Sequence, residues 1–318
     1  MSSNSNSSSN SSNSSRGGSN SSSSSRKENP IDVRLREVMG RGEYALIGYM
    51  VAGYPDEHTC LDVALAMIDG GVDILEIGIP FSDPIADGPT IQRASYIALS
   101  NGITPRKALD IARRIKDASD TPLVAMTYYN IVYRLGVERF IPMAREHGID
   151  GLIVPDLTYE EADDVIRVAH MHGMDPIFLV APNTSDERIN MIASVSKGFL
   201  YLVSVYGTTG ERDRFYEYTT NAIRRVKGLM MGRVPLAVGF GISRKEHVRL
   251  MIDAGADAIV VGSAFINIIE KRSGCSNSNS NNSSSSGGSN GSSSNKGSML
   301  EDVRQLAYEL KQATRSSC

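Results

Sequence analysis

The sequence predicts an α/β chain folded as a single (β/α)8 TIM barrel, preceded by a low-complexity tail and interrupted by a Ser/Asn/Gly-rich insert before its last helix. Three observations predict it. From residue 44 onward, short Val/Ile/Leu-rich runs alternate with segments of helical period, the pattern of repeated β-α units around a parallel sheet. Eight such units can be counted, and no Gly-x-Gly-x-x-Gly follows the first, which weakens the competing doubly wound open sheet. Finally, residues 1–25 are almost all Ser and Asn, and Ser273 to Ser298 repeat that composition with Gly. Neither stretch can bury apolar surface, and the remainder, about 250–270 residues, suits one barrel. The expected organisation is a disordered tail over 1–29, the barrel over 30–272, a disordered insert over 273–298 and a C-terminal helix over 299–318 that completes the barrel.

The strands are expected at Tyr44–Val51, Asp73–Gly78, Leu123–Thr127, Gly151–Val154, Pro176–Val180, Phe199–Val203, Pro235–Gly239 and Asp257–Val261. Most are apolar without alternation, as strands covered on both faces must be. Between them, Thr59–Ile68, Pro105–Lys116, Val137–His147, Tyr159–His172, Asp186–Ser194, Phe215–Gly228 and Ser243–Ala254 carry apolar residues at three- and four-residue spacing and form the outer helices. Thr104-Pro105 reads as a cap followed by proline at the first helical position, and Ser243 as the cap of a later helix. Glycines at 148, 173 and 255 follow three helix ends. Two helical segments, Thr90–Ser100 and Pro105–Lys116, follow the second strand, and extra length there usually serves a site. The last helix is expected in two pieces, Ala264–Arg272 and Leu300–Arg315, on either side of the insert.

A net charge of −3, with no Lys/Arg run on an aromatic-rich strand, gives no footprint for nucleic acid. Apolar runs such as Ala258-Ile-Val-Val261 are strand-sized, far below the ~20 residues that cross a bilayer. The three cysteines, Cys60, Cys275 and Cys318, lack Cys-x-x-Cys spacing, so neither a disulfide framework nor a zinc site is indicated, and a reducing compartment fits. The tail lacks the apolar segment of a secretory signal. A soluble, cytoplasmic protein is expected.

The chemistry concentrates in Leu75–Gln92, where Glu76 and Asp87 flank a rigid turn just after an apolar strand. A carboxylate inside Asp73-Ile-Leu-Glu-Ile-Gly78 must leave water on folding, which is costly unless it is neutralised, paired or used. Glu76 therefore reads as a catalytic acid/base, with a structural ion pair as the alternative; Asp87 by itself, in Asp-Gly-Pro, reads as a turn residue sooner than as a catalyst. Barrel enzymes commonly hold phosphate in the loops after strands seven and eight, and Gly239-Phe-Gly-Ile-Ser243 and Gly262-Ser263 stand there. After strand six, Ser204–Arg214 has the glycines, hydroxyls and charges of a lid. No lysine stands at a strand's C-terminal end for a Schiff base, and the five histidines fall in helices or at their ends, away from any metal-ligand spacing. Two carboxylates and a phosphate cradle favour cofactor-free acid/base cleavage or isomerisation of a phosphorylated small molecule.

Glu76-Ile-Gly-Ile-Pro-Phe-Ser-Asp-Pro-Ile-Ala-Asp-Gly-Pro-Thr-Ile-Gln92 resembles the signature of the tryptophan synthase alpha subunit family. The likeness continues in Tyr128-Tyr-Asn130, Val154-Pro-Asp-Leu157, Tyr201, Gly207-Thr-Thr-Gly210, Gly239–Ser243 and Gly262-Ser263. The resemblance implies retro-aldol cleavage of indole-3-glycerol phosphate to indole and glyceraldehyde 3-phosphate. It implies Glu76 as general acid/base and Asp87 as the acceptor of the indole N–H. It places Tyr201 and Thr209 at the substrate and Gly210, Gly241, Gly262 and Ser263 at the phosphate; Phe240 and Ile242, beside those glycines, are candidates for apolar walls around the substrate, with packing within the barrel as the equal alternative. It further implies a pyridoxal-phosphate-dependent beta subunit as partner, in an α2β2 heterotetramer, facing Pro80, Phe81, Asp83 and Asn130, with no cofactor and no metal on this chain. The alternatives are a non-catalytic subunit that activates its partner, a stand-alone lyase that releases indole, and another phosphate-binding barrel enzyme such as a sugar-phosphate isomerase.

Overall fold

The computed structural model describes residues 28–203, 212–273 and 291–315. Residues 1–27 of the expected tail, most of the expected lid with Thr209 and Gly210, and most of the insert lie outside the described residues. Within them the strands β1 (Ala45–Val51), β2 (Ile74–Gly78), β3 (Leu123–Met126), β4 (Ile149–Ile153), β5 (Asp175–Ile177), β6 (Leu179–Val180), β7 (Leu200–Val203), β8 (Leu236–Gly239) and β9 (Ala258–Val261) form one parallel sheet. Its order is β5-β4-β3-β2-β1-β9-β8-β7-β6. The two ends of that order are consecutive in the chain, joined through Phe178 alone, so the sheet closes into a barrel. The expected fifth strand, Pro176–Val180, is therefore split: its first half pairs with β4 and its second with β7, and pairing lapses at Phe178 between them.

Alternation along each strand assigns its residues to two cores. Ala45, Ile47, Ile74, Val124, Ile153, Ile177, Phe199, Ala237, Ala258 and Val260 fill the barrel interior. The intervening residues, such as Leu46, Leu75, Ile77, Leu123 and Val238, pack outward against the helices. Glu76 stands two residues after Ile74, so the same phase carries it into the barrel, above the apolar layer.

The interior is closed from below by α1 (Pro30–Gly40), which the strand-and-helix reading above does not include. Its Ile31, Leu35 and Val38 complete the interior cluster. Asn29 caps it, accepting from the Ile31 N–H at 2.9 Å while its amide donates to the carbonyls of Asp150 (2.8 Å) and Gly173 (3.1 Å). The signal was present as a capping Asn followed by Pro at the first helical position and apolar residues at i, i+4 and i+7. Also absent from that reading is the short α5 (Tyr129–Leu135), between β3 and α6 (Val137–Glu146).

The paired helices after β2 are present as α3 (Pro89–Ser100) and α4 (Pro105–Ala118), and Thr104 caps α4 by accepting from the Lys107 N–H. Ser243 does not cap its helix: α10 (Lys245–Asp253) starts after Arg244, with no side-chain cap bond. Gly148, Gly173 and Gly255 all have positive φ, the conformation that ends a helix at least cost in glycine.

The final helix, α12 (Gly291–Ala313), begins before the boundary expected from composition, because backbone helix extends back through Gly291–Ser298. It docks despite the insert. Lys311 is buried and its ammonium lies 2.8 Å from the Asp73 carboxylate, which also accepts from the Leu46 N–H at 2.8 Å. The chain segment after the insert is thereby tied to the entry of β2, the strand that carries Glu76. A Cβ on Gly70 would lie 2.5 Å from that of Ala307, so glycine there permits the close approach of α2 (Glu57–Asp69) and α12.

Candidate active site

The C-terminal mouth of the barrel holds a cavity of about 600 Å³. Glu76 and Tyr49 rise into it from register-paired positions on β2 and β1, and Tyr201 enters from β7. Met126, Ile153, Leu179 and Val260 form an apolar floor. The loop after β2 contributes Ile85, Ala86 and Asp87 as one wall. Gly239, Gly241, Ile242, Gly262 and Ser263, from the ends of β8 and β9, contribute another.

Glu76 is 2 % exposed, and its Oε2 has no hydrogen-bond partner. Burial, reinforced by the charge of Asp87, pushes its carboxyl up to about 8. Asp87 is pushed up to about 6 by burial, opposed by a hydrogen bond from Tyr128. That tyrosine hydroxyl donates to Asp87 Oδ2 at 3.0 Å and accepts from the Ala86 N–H at 3.1 Å, fixing the loop and its acid together. Near neutral pH the site thus holds one protonated and one ionised carboxyl, the division that lets one acid give a proton while the other stabilises positive charge. The hydroxyls of Tyr49 and Tyr201 stay protonated, because burial and the two carboxyls raise both well above the usual phenol range.

Three glycines make room for these tyrosines. A Cβ on Gly78 would overlap the Tyr49 hydroxyl, one on Gly239 would sit 2.7 Å from the Tyr201 hydroxyl, and one on Gly262 would sit 3.0 Å from Tyr49 Cδ1. Gly241 has φ +65°, a left-handed conformation that favours glycine. Ser263, which lines the cavity, opens α11 (Ser263–Ser273), so the positive end of that helix's dipole lies at the mouth. This wall can receive a phosphate.

Of the residues expected here, the structure brings together Glu76, Asp87, Tyr201, Gly241, Gly262 and Ser263. Phe240 is not among them. Ala237 and Gly239 face inward, so the intervening phase turns Phe240 into the outer core, and Ile242 lines the cavity instead. Thr209 and Gly210 are not described. Two residues absent from the expectation are Tyr49 and Tyr128. Tyr49 was legible as the third inward position of β1 after Ala45 and Ile47, whereas the Tyr128 contact depends on the folding back of a remote loop. Among the residues expected to face a partner, Asp83 and Asn130 are exposed, Pro80 is buried, and Phe81 is half-buried with its ring stacked on Tyr128, centroids 5.1 Å apart.

Comparison with known proteins agrees with this geometry. A family model described as tryptophan synthase alpha chain matches residues 35–297. The tryptophan synthase alpha chain of Methanoregula boonei is 48% identical over 234 residues, covering 74% of this chain and 88% of that protein. That of Methanothermobacter thermautotrophicus is 46% identical over 230 residues, covering 72% and 84%. Among solved structures, tryptophan synthase from Mycobacterium tuberculosis superposes with a TM-score of 0.76 at 31% identity, covering 92% of this chain and 100% of that one. A chain of the tryptophan synthase α2β2 complex of Pyrococcus furiosus superposes at 0.72 with 39% identity, covering 84% and 98%. The chain belongs to the tryptophan synthase alpha chain family.

Proposed function

We propose that this chain cleaves indole-3-glycerol phosphate to indole and glyceraldehyde 3-phosphate, a lyase step of tryptophan biosynthesis. The observation that carries the reading is the pair Glu76 and Asp87 in one cavity, with proton affinities on either side of neutrality. The substrate's phosphate lies at Gly241, Gly262 and Ser263, and its indole ring on the apolar floor between the acids. Protonated Glu76 delivers a proton to indole C3, while ionised Asp87 accepts the indole N–H and stabilises the positive charge that develops on the ring. Glu76, now a carboxylate, takes the proton of the glycerol hydroxyl next to the ring. The C–C bond to C3 breaks, its electron pair restores the aromatic indole, and the hydroxyl carbon leaves as the aldehyde. Atoms and protons balance, and Glu76 ends protonated as it began.

The chain works as the alpha half of an α2β2 assembly with a beta subunit, and the pyridoxal phosphate of that assembly belongs to the beta partner. Support for a partner comes from the α2β2 complex among the similar structures. Among the described residues no helix is long and apolar enough to cross a membrane. A cytoplasmic location fits that observation and the family.

The test is indole release from indole-3-glycerol phosphate by the purified chain, with and without a beta subunit. Slow release that rises strongly with the partner is the expected outcome, and Glu76→Gln or Asp87→Asn should abolish it with the fold preserved. Fast release that ignores the partner would indicate a stand-alone lyase. No release from a folded wild-type chain would overturn the reading.

A further inference from the structure

The sequence Gly-x-Asp recurs at the entries of β2, β4, β5 and β9, as Gly71-Val-Asp73, Gly148-Ile-Asp150, Gly173-Met-Asp175 and Gly255-Ala-Asp257. Three of the four are built alike. Asp73 accepts from the Leu46 N–H and the Lys311 ammonium, Asp150 from the Leu123 N–H and Lys116, and Asp257 from the Leu236 N–H and Lys227. In each the lysine stem lies over the glycine, where a Cβ would meet its Cγ at 2.9, 2.7 and 3.3 Å respectively. The fourth differs. Nothing lies over Gly173, and Asp175 Oδ2 has no hydrogen-bond partner although the residue is only 7 % exposed.

Strand phase accounts for the difference. Asp73, Asp150 and Asp257 stand an odd number of residues from the inward Ile74, Ile153 and Ala258, so they turn outward to the helices. Asp175 stands two residues from the inward Ile177 and turns into the barrel. There it meets α1, the helix that closes the floor. A Cβ on Gly198, just ahead of β7, would lie 3.2 Å from Asp175 Oδ2 and 3.2 Å from Ile31 Cγ2, so the carboxyl and the first turn of α1 flank the same glycine. Asn29 ties that turn to the same strand ends through the Asp150 and Gly173 carbonyls. The charged groups around Asp175 are Asp32 on α1, Lys197 before β7, Asp150 on β4 and Arg145 on α6, the last already paired with Asp150. Burial, reinforced by the charge of Asp32 and opposed by Lys197, pushes the Asp175 carboxyl up to about 8.

We propose that Asp175 is a proton-operated latch on the floor of the barrel: its neutral carboxyl lets α1 seat, and its ionisation loosens α1 while the surrounding sheet stays closed. Seated α1 keeps water from the carboxyl, whereas opening returns it to water and to an ordinary midpoint near 3.8. Opening therefore releases a proton between pH 3.8 and about 8, so the opening equilibrium rises with pH across that window and levels off above it.

The test is amide hydrogen exchange of the full chain at pH 6, 8 and 9, corrected for the intrinsic exchange rate. Protection of the Leu35 and Val38 amides should fall by about ten- to fiftyfold from pH 6 to 8 and by less than about twofold from pH 8 to 9. Asp175→Asn keeps the shape of the neutral acid and retains Glu76, so a change of less than about twofold across the range is expected for the same amides. Asp32→Asn removes one like charge and should show a smaller fall than wild type. An equal fall in Asp175→Asn, or none in wild type, would overturn the proposal. Should Asp175→Asn fail to fold, carbon-13 carboxyl NMR of the wild-type chain decides: Asp175 is expected to titrate near 8, and titration at the ordinary aspartate value of about 4 would sink the latch.

Discussion

Replacing Tyr128 by Phe deletes one oxygen atom and tests whether the division of labour between the two carboxyls depends on that hydroxyl. The Tyr128 hydroxyl donates to Asp87 Oδ2 at 3.0 Å, and this bond favours the ionised acid. Hydrogen bonds to charged groups are worth about 1.5–3 kcal/mol, and one pKa unit corresponds to about 1.4 kcal/mol, so the loss should raise Asp87 by roughly one to two units. Its wild-type value is about 6, and Glu76 titrates at about 8. If the active form has Asp87 ionised and Glu76 protonated, kcat/KM follows a bell between those values. The variant's acidic limb should move up toward about 7–8 while the alkaline limb stays in place. Two-site titration arithmetic then gives a loss of about five- to fifty-fold at pH 6, about two- to ninefold at pH 7 and less than about twofold at pH 8. The assay is initial-rate indole formation at low substrate concentration across this pH range. A uniform loss with both limbs unmoved would refute the argument, because it would assign Tyr128 to packing and not to the ionisation of Asp87.

Glu76 should also be a stability liability at high pH. Its carboxyl titrates at about 8 in the fold against 4.5 as a model group, so the protonated acid contributes fully below pH 4.5 and that contribution fades as pH rises through 8. Glu76→Gln should therefore gain stability over wild type by roughly 4 kcal/mol at pH 9 and by little at pH 4.5, read from urea denaturation at the two pH values; an equal difference at both would contradict the burial argument. Lys311→Met removes the ammonium beside the buried Asp73 and should cost about 3–5 kcal/mol, with part of the loss restored in the double variant with Asp73→Asn; a cost below about 1 kcal/mol would mean that the pair does not hold α12. Replacing residues 274–290 by a short Gly/Ser linker should change stability by less than about 1 kcal/mol and leave indole formation intact, since loop closure depends weakly on length. The ends on either side are already joined, the Asn295 amide donating to the Arg272 carbonyl at 2.6 Å, so a large loss on excision would show that the insert itself makes contacts.

The barrel was legible because its determinants are local. Runs of Val, Ile and Leu separated by helical period announce each β-α unit, and alternation by itself sends Ile74 and Glu76 to one face and Leu75 and Ile77 to the other. The same rule, followed through Ala237 and Gly239, would have sent Phe240 outward, where the structure has it. The helix closing the floor also carried its own cap, Asn29 before Pro30, but its burial depends on contacts with strands far along the chain. The break at Phe178 has no local signal, since two different neighbours claim the halves of one apolar run.

By itself, then, the sequence determined the eight-unit α/β barrel and the strand end on which the acids stand, because side-chain alternation and helix periodicity are properties of neighbouring residues. Only the tertiary structure decided how those acids behave. The rise of Glu76 to about 8 needs the whole barrel to exclude water around it, and the restraint on Asp87 needs a hydroxyl 41 residues away, so proton affinity is set by desolvation and by contacts that exist only when the chain has closed on itself.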